Sequence, residues 1–270
     1  MTKRIAILGC SHSDWQQGPT ERRGWIEQIA TQYPNIEFHS FARMGHGSLW
    51  YDFILKHIIA NFEPNYFDAV IIQLTAQGRW LFPLRHSVEK EKWIVHPFKD
   101  RDVPNYITYT LKSHRIVSTQ MGSFEAGSYL PDWEHEPWGF RGGPFYEFPT
   151  QFGINYTANF PNEEYDNFSL QYEDVFGDTL IKLYRPHFNN FFYFTFFNSY
   201  SPGKYVEFKK YHVGNIGQPK PFVQWSIDKY GAERTVLDFF DDSWHTSQSG
   251  ENIFVNEYIL PSEIGNYLRR

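Results

Sequence analysis

The chain has 270 residues, of which 20% are aromatic and 21% charged, with 25 Lys and Arg against 31 Asp and Glu for a formal net charge of −6. That much apolar and aromatic material can bury a sizeable core, which excludes disorder over the whole chain. The mildly acidic balance without a basic run excludes the electrostatic footprint a nucleic-acid partner requires, and a single cysteine, Cys10, excludes an intramolecular disulfide framework or a cysteine-rich metal centre.

Residues 4–9 (RIAILG) are a short apolar run closed by glycine, the pattern of a strand buried on both faces of a parallel sheet. A polar turn follows, and Trp25, Ile26, Ile29 and Ala30 then recur at helical spacing within residues 21–33. Residues 36–42 (IEFHSFA) return to a strand. The pattern repeats with a helix over residues 49–62, presenting Trp50, Phe53, Ile54 and Ile58 on one face, and a second continuous apolar strand, Ala69–Leu74. Alternation of this kind predicts an α/β fold with a parallel sheet covered on both faces.

From about Trp80 the rhythm is lost until near residue 163. Residues 121–168 interleave aromatic side chains such as Trp133, Trp138, Tyr146 and Phe152 with glycine and proline, so residues 81–162 read as a long insertion that packs through aromatic rings. Phe168, Tyr172, Val175, Phe176, Leu180, Leu183 and Tyr184 then trace a helical stripe that Pro186 ends. Residues 191–197 (FFYFTFF) read as a fourth strand, residues 234–239 (RTVLDF) as a fifth, and a last helix runs from about Gln248 to Tyr258 before Pro261. No linker divides the chain, so residues 1–270 are expected to form one domain. No apolar stretch approaches the roughly 20 residues that span a bilayer. The apolar run before Cys10 is also too short for a signal segment, which makes the cytoplasm the expected location.

Four segments that could carry chemistry follow predicted strands. Gly9-Cys10-Ser11-His12-Ser13 places a hydroxyl after the first strand, at the sheet edge where ligands of parallel α/β folds bind. Asp241-Asp242-Ser243-Trp244-His245 offers a carboxylate and an imidazole three residues apart. An imidazole can take a serine proton, and a carboxylate can fix its tautomer. Arg43-Met44-Gly45-His46-Gly47-Ser48 and Gln73-Leu74-Thr75-Ala76-Gln77-Gly78-Arg79 could supply backbone and side-chain donors for an oxyanion. Taken singly, each segment also reads as an ordinary turn or helix cap; their coincidence at successive strand ends favours a site. The histidines show no pair four apart on one helix, so no metal is expected, and the first turn lacks the glycine pattern of a dinucleotide site.

In order and spacing these segments resemble the SGNH (GDSL-type) hydrolases, over about residues 3–80 and 188–260. The resemblance implies a three-layer α/β/α fold of flavodoxin-like type, here with a five-stranded parallel sheet and the aromatic insertion. It implies Ser11 as nucleophile, Asp242 and His245 as the acid–base pair, Gly47 and Gln77 as oxyanion donors, and Gly250 as a glycine of the last helix. Cys10 stands where the family usually has Asp, and Gln77 where it has Asn, keeping the amide on a longer arm. His12, Ser13, His46, Arg79 and Trp244 are candidate substrate contacts. The expected activity is hydrolysis of an ester, an O-acetyl group on a carbohydrate above others, without a cofactor. Acyl transfer to a glycan, a non-catalytic binding or structural module, and a homo-oligomer all stay open at this point.

Overall fold

Two runs of β-branched and aliphatic residues, Lys3–Leu8 (β1) and Ala69–Leu74 (β3), lie side by side and parallel, with Ile5 opposite Ala69 and Leu8 opposite Ile72. The computed structural model describes residues 2–10, 12–13, 24–42, 48–74, 79–84, 95–99, 102–111, 139–144, 179–196, 214–240 and 245–270. Ile36–Ser40 (β2) pairs with the other side of β1, and Phe191–Thr195 (β8) with the other side of β3. Tyr106–Leu111 (β6) adds to β2 as a fifth parallel strand, and Val95–Lys99 (β5) closes that edge antiparallel. The order is β5-β6-β2-β1-β3-β8. Arg79–Leu84 (β4) and Gly139–Pro144 (β7) form a separate antiparallel ribbon.

Successive side chains of a strand point to opposite faces, so β1 and β3 each feed two cores. Ile5, Ile7, Ala69 and Ile71 pack with helix Trp25–Gln32 (α1), which buries the four expected residues Trp25, Ile26, Ile29 and Ala30. Ala6, Leu8, Val70 and Ile72 pack with helix Ser48–Asn61 (α2) through Tyr51, Ile54, Leu55 and Ile58. The second core also takes Leu180 and Tyr184 of a helix at residues 179–184 (α3), which ends at the 3-10 turn Arg185–His187 carrying Pro186. Tyr184 donates a 2.5 Å hydrogen bond to Asp52 of α2. Burial and that carboxylate hold its phenol above its ordinary pKa. The chain is thus an α/β protein with helices on both faces of a five-stranded parallel sheet.

Two readings of the sequence differ from the fold. Residues 234–239 are not a strand: they belong to helix Ala232–Phe239 (α5), separated from helix Phe222–Tyr230 (α4) by a turn at Gly231 with φ 89°. Thr235 and Phe239, four apart, are its buried pair, while Leu237, which a strand would turn to the same face as both, is 70% exposed. The fifth parallel strand comes instead from β6, inside the span 81–162 read as an insertion, so part of that span belongs to the central sheet. Asn105 anchors it by donating from Nδ2 to the carbonyls of Ala30, Tyr33 and Ile36. The aromatic-rich stretch 121–168 is described only at β7, and the stripe from Phe168 only from residue 179 onward.

The last helix begins as expected at Gln248 (α6, Gln248–Ile253) and continues as a π-helical turn, Phe254–Ile259, in which Leu260 N–H donates to Val255 O. Glu263–Arg269 (α7) follows. Among the described residues no further strand is added at the outer edge of β8. There the Asn215 N–H donates to Tyr193 O (2.9 Å), Asn215 Oδ1 accepts from Tyr193 N–H (2.7 Å), and Asn215 Nδ2 donates to Phe191 O (2.7 Å). No helix among the described residues is long and apolar enough to cross a membrane.

The helical placement of residues 234–239 makes opposite demands on two neighbours. Leu237→Lys is expected to leave stability within about 0.5 kcal/mol. Phe239→Ala is expected to cost about 3–5 kcal/mol, since it empties a fully buried ring position. Urea unfolding of the two variants checks this; a large loss in Leu237→Lys would contradict the helix.

Candidate active site

The segment after β1 turns sharply. Ser13 N–H donates to Cys10 O at 2.8 Å, closing a four-residue turn, and a Cβ on Gly9 would lie 2.5 Å from Ser13 Oγ and 3.0 Å from Gln73 Oε1. Only glycine fits there. Ser13 is 1% exposed, and its hydroxyl accepts from Trp25 Nε1 (3.0 Å) and donates to Gln73 Oε1. Gln73 Nε2 donates to Cys10 Sγ at 3.6 Å. Ser13, a candidate substrate contact by sequence, therefore has its hydroxyl engaged in the interior.

His12 is also buried, at 2% exposure, and stacks on Phe196 just past β8, with ring centroids 4.6 Å apart and planes 15° apart. It also meets His245, ring centroid 5.3 Å away at a tilt of 31°. His245 is half-buried. Segments separated by more than 230 residues of chain, one after β1 and one before α6, thus meet at the carboxyl edge of the sheet. At the same edge Thr195, the last residue of β8, sits opposite Leu74 and is buried, its hydroxyl without a hydrogen-bond partner among the described residues.

The loop before His245 is closed at its base. Phe240 and Thr246 form an isolated antiparallel bridge, and Ser247 N–H donates to Phe239 O at 2.8 Å. The helix α6 is capped by Ser247, whose Oγ accepts from Gly250 N–H (3.0 Å) and donates to Asp238 O (2.5 Å). Thr246 donates to the fully buried carboxylate of Glu251. Gly250 stands where a Cβ would lie 2.2 Å from Phe239 O, so α6 can approach the end of α5 only with glycine at that position.

Ser11, His46, Gly47, Gln77, Asp242 and Trp244 lie outside the described residues, as does the side chain of Arg79. Of the sequence-derived site residues the structure therefore brings together His12 and His245 and buries Ser13 against Trp25 and Gln73. In the sequence Gln73 stands at the head of a candidate segment without an assigned partner, and Trp25 reads only as part of a helix face. The available signal was Gln73 itself, a lone carboxamide in the otherwise apolar run AVIIQL. Such a group must find hydrogen-bond partners once buried. Among the described residues no three His, Cys, Asp or Glu side chains gather as a metal would require. The sequence matches no protein-family model and no protein of curated function.

Gly9→Ala is expected to destabilise the fold by about 1–3 kcal/mol, because the added methyl group cannot be accommodated without moving Ser13 or Gln73. Chemical denaturation measures this directly, and a variant as stable as the parent would show that the turn is looser than described.

Proposed function

We propose that the chain is a serine esterase of the SGNH type that removes an acyl group, an O-acetyl on a carbohydrate above others. The observation that carries the reading is the approach of His12 and His245 at the carboxyl edge of the sheet. It joins the segment containing Ser11 to the segment containing Asp242, as a nucleophile and its base require. The clamped base of the 240–247 loop supports it further, since a general base works only when its position is fixed.

In this mechanism Ser11 Oγ attacks the ester carbonyl carbon while His245 takes the hydroxyl proton and Asp242 stabilises the resulting imidazolium. The tetrahedral oxyanion is held by the backbone N–H groups of Ser11 and Gly47 and the Gln77 amide. As the intermediate collapses, the bond to the alcohol oxygen breaks and His245 returns the proton to it, leaving an acyl-serine. Water, deprotonated by the same imidazole, attacks this ester and releases the carboxylic acid and Ser11. The run β2-β1-β3-β8 supports a flavodoxin-like arrangement, from which β6 on the outer side of β2 departs; an aromatic insertion is part of the same reading. The ring-rich stretch 121–168 offers faces on which a sugar can stack, which is the ground for a carbohydrate substrate.

A fluorophosphonate probe reports an activated serine without knowledge of the substrate. Labelling located at Ser11 by mass spectrometry and lost in Ser11→Ala and His245→Ala is expected; absence of labelling in the folded parent protein would leave a non-catalytic binding module as the better reading. For the carbohydrate assignment, saturable binding of an acetylated glycan is expected to fall in Trp133→Ala or Trp138→Ala. Binding unchanged in both variants counts against it.

A further inference from the structure

Four polar groups from three elements meet beside the candidate site, and the chemistry of each dictates the direction of every hydrogen bond between them. The indole of Trp25 can only donate, so Ser13 Oγ must accept from it. A hydroxyl has one proton, and Ser13 gives it to Gln73 Oε1. That fixes the orientation of the carboxamide, and its NH2 group faces Cys10 Sγ at 3.6 Å. Gln73 therefore grips both Cys10 and Ser13, the first and last residues of the turn closed by the Ser13 N–H to Cys10 O bond.

Gln73 is itself held still. It is 0% exposed, its strand is hydrogen-bonded on both sides, and its carbonyl accepts a 2.8 Å hydrogen bond from the Tyr51 hydroxyl of α2. The missing side chain at Gly9 makes space for the carboxamide, since a Cβ there would lie 3.0 Å from Gln73 Oε1. A rigid group on a central strand thus fixes a turn on its neighbour.

We propose that Gln73 is a positioning residue: its carboxamide, bridging Cys10 and Ser13, sets the geometry of the segment that contains Ser11 and His12. The proposal rests on the reading of Ser11 as nucleophile for its consequence in catalysis, and on the hydrogen bonds alone for its structural part. In this role Gln73 acts through the turn.

The test compares the parent protein with Gln73→Met, which keeps the length of the side chain and removes both hydrogen bonds, and Gln73→Glu, which keeps the acceptor for Ser13 and loses the donor toward Cys10. Three quantities are measured: alkylation of Cys10 by iodoacetamide, the NMR signal of the Trp25 indole N–H, and the fluorophosphonate reaction at Ser11 resolved into probe affinity and rate of inactivation. In Gln73→Met, Cys10 is expected to react at least about tenfold faster and the Trp25 signal to move. The inactivation rate is expected to fall about 10- to 100-fold with probe affinity unchanged, as for a displaced reacting group. Gln73→Glu is expected to recover part of that rate.

A folded Gln73→Met protein with parental Cys10 reactivity, Trp25 signal and inactivation rate would overturn the proposal. Should that variant not fold, Gln73→Glu decides it by the same three measurements, parental values in all of them overturning it. If the parent protein is not labelled at Ser11, the esterase reading falls by itself. Cys10 alkylation and the Trp25 signal in the variants then decide whether Gln73 positions the turn.

Discussion

A strand covered by helices on both faces and hydrogen-bonded on both sides has no free surface, and β1 and β3 are in that position. Such strands can meet a ligand only where they end. The five parallel strands direct their carboxyl ends to one edge, where the described residues after β1 and β8 meet as His12 and Phe196. Sequence decides only what is mounted there. In this chain it mounts two imidazoles side by side, next to a serine that is tied inward to Trp25 and Gln73.

The aromatic richness of the chain has a structural use at that edge. Phe196, on which His12 stacks, is itself packed against Phe222 and Phe254, with ring centroids 5.0 and 4.9 Å away, and meets Phe240 edge-on at 6.3 Å. Phe254 in turn meets Trp25 at 5.9 Å. The orientation of His12 is therefore set by the same ring cluster that joins α1, α4 and the last helix to the sheet. Interiors packed at crystal-like density transmit such constraints with little slack. The position of the imidazole is a property of the core as much as of its own loop.

Much of this could be read from the residues alone, and the exceptions have physical reasons. Runs such as AVIIQL and RIAILG are legible because both faces are buried and no polar alternation blurs them. The helical face Trp25, Ile26, Ile29, Ala30 is legible because its period is clean. Residues 234–239 carry apolar side chains at 236, 237 and 239, a pattern compatible with either period. The choice is made by the turn at Gly231 and by the burial of Thr235 and Phe239, which are tertiary facts. Tyr106–Leu111 (YITYTL) was hidden because it falls where the strand–helix alternation had lapsed and lacks the continuous aliphatic run of β1 and β3. At the carboxyl edge, the two sequence segments singled out around Gly9 and His245 meet through His12 and His245. Gln73 stood at the head of a candidate segment, but its hold on Ser13 could not be read there because that partner lies 60 residues away in sequence.

The Asn215 contact on β8 bears on how this protein behaves in company. An open sheet edge is a row of unsatisfied donors and acceptors that another chain can extend. Here one asparagine occupies the carbonyls of Phe191 and Tyr193 and the N–H of Tyr193, standing in for a neighbouring strand across the middle of β8. At the opposite edge β5 contains Pro97, which has no N–H to offer. Strand addition at these described margins meets that asparagine at β8 and a proline at β5.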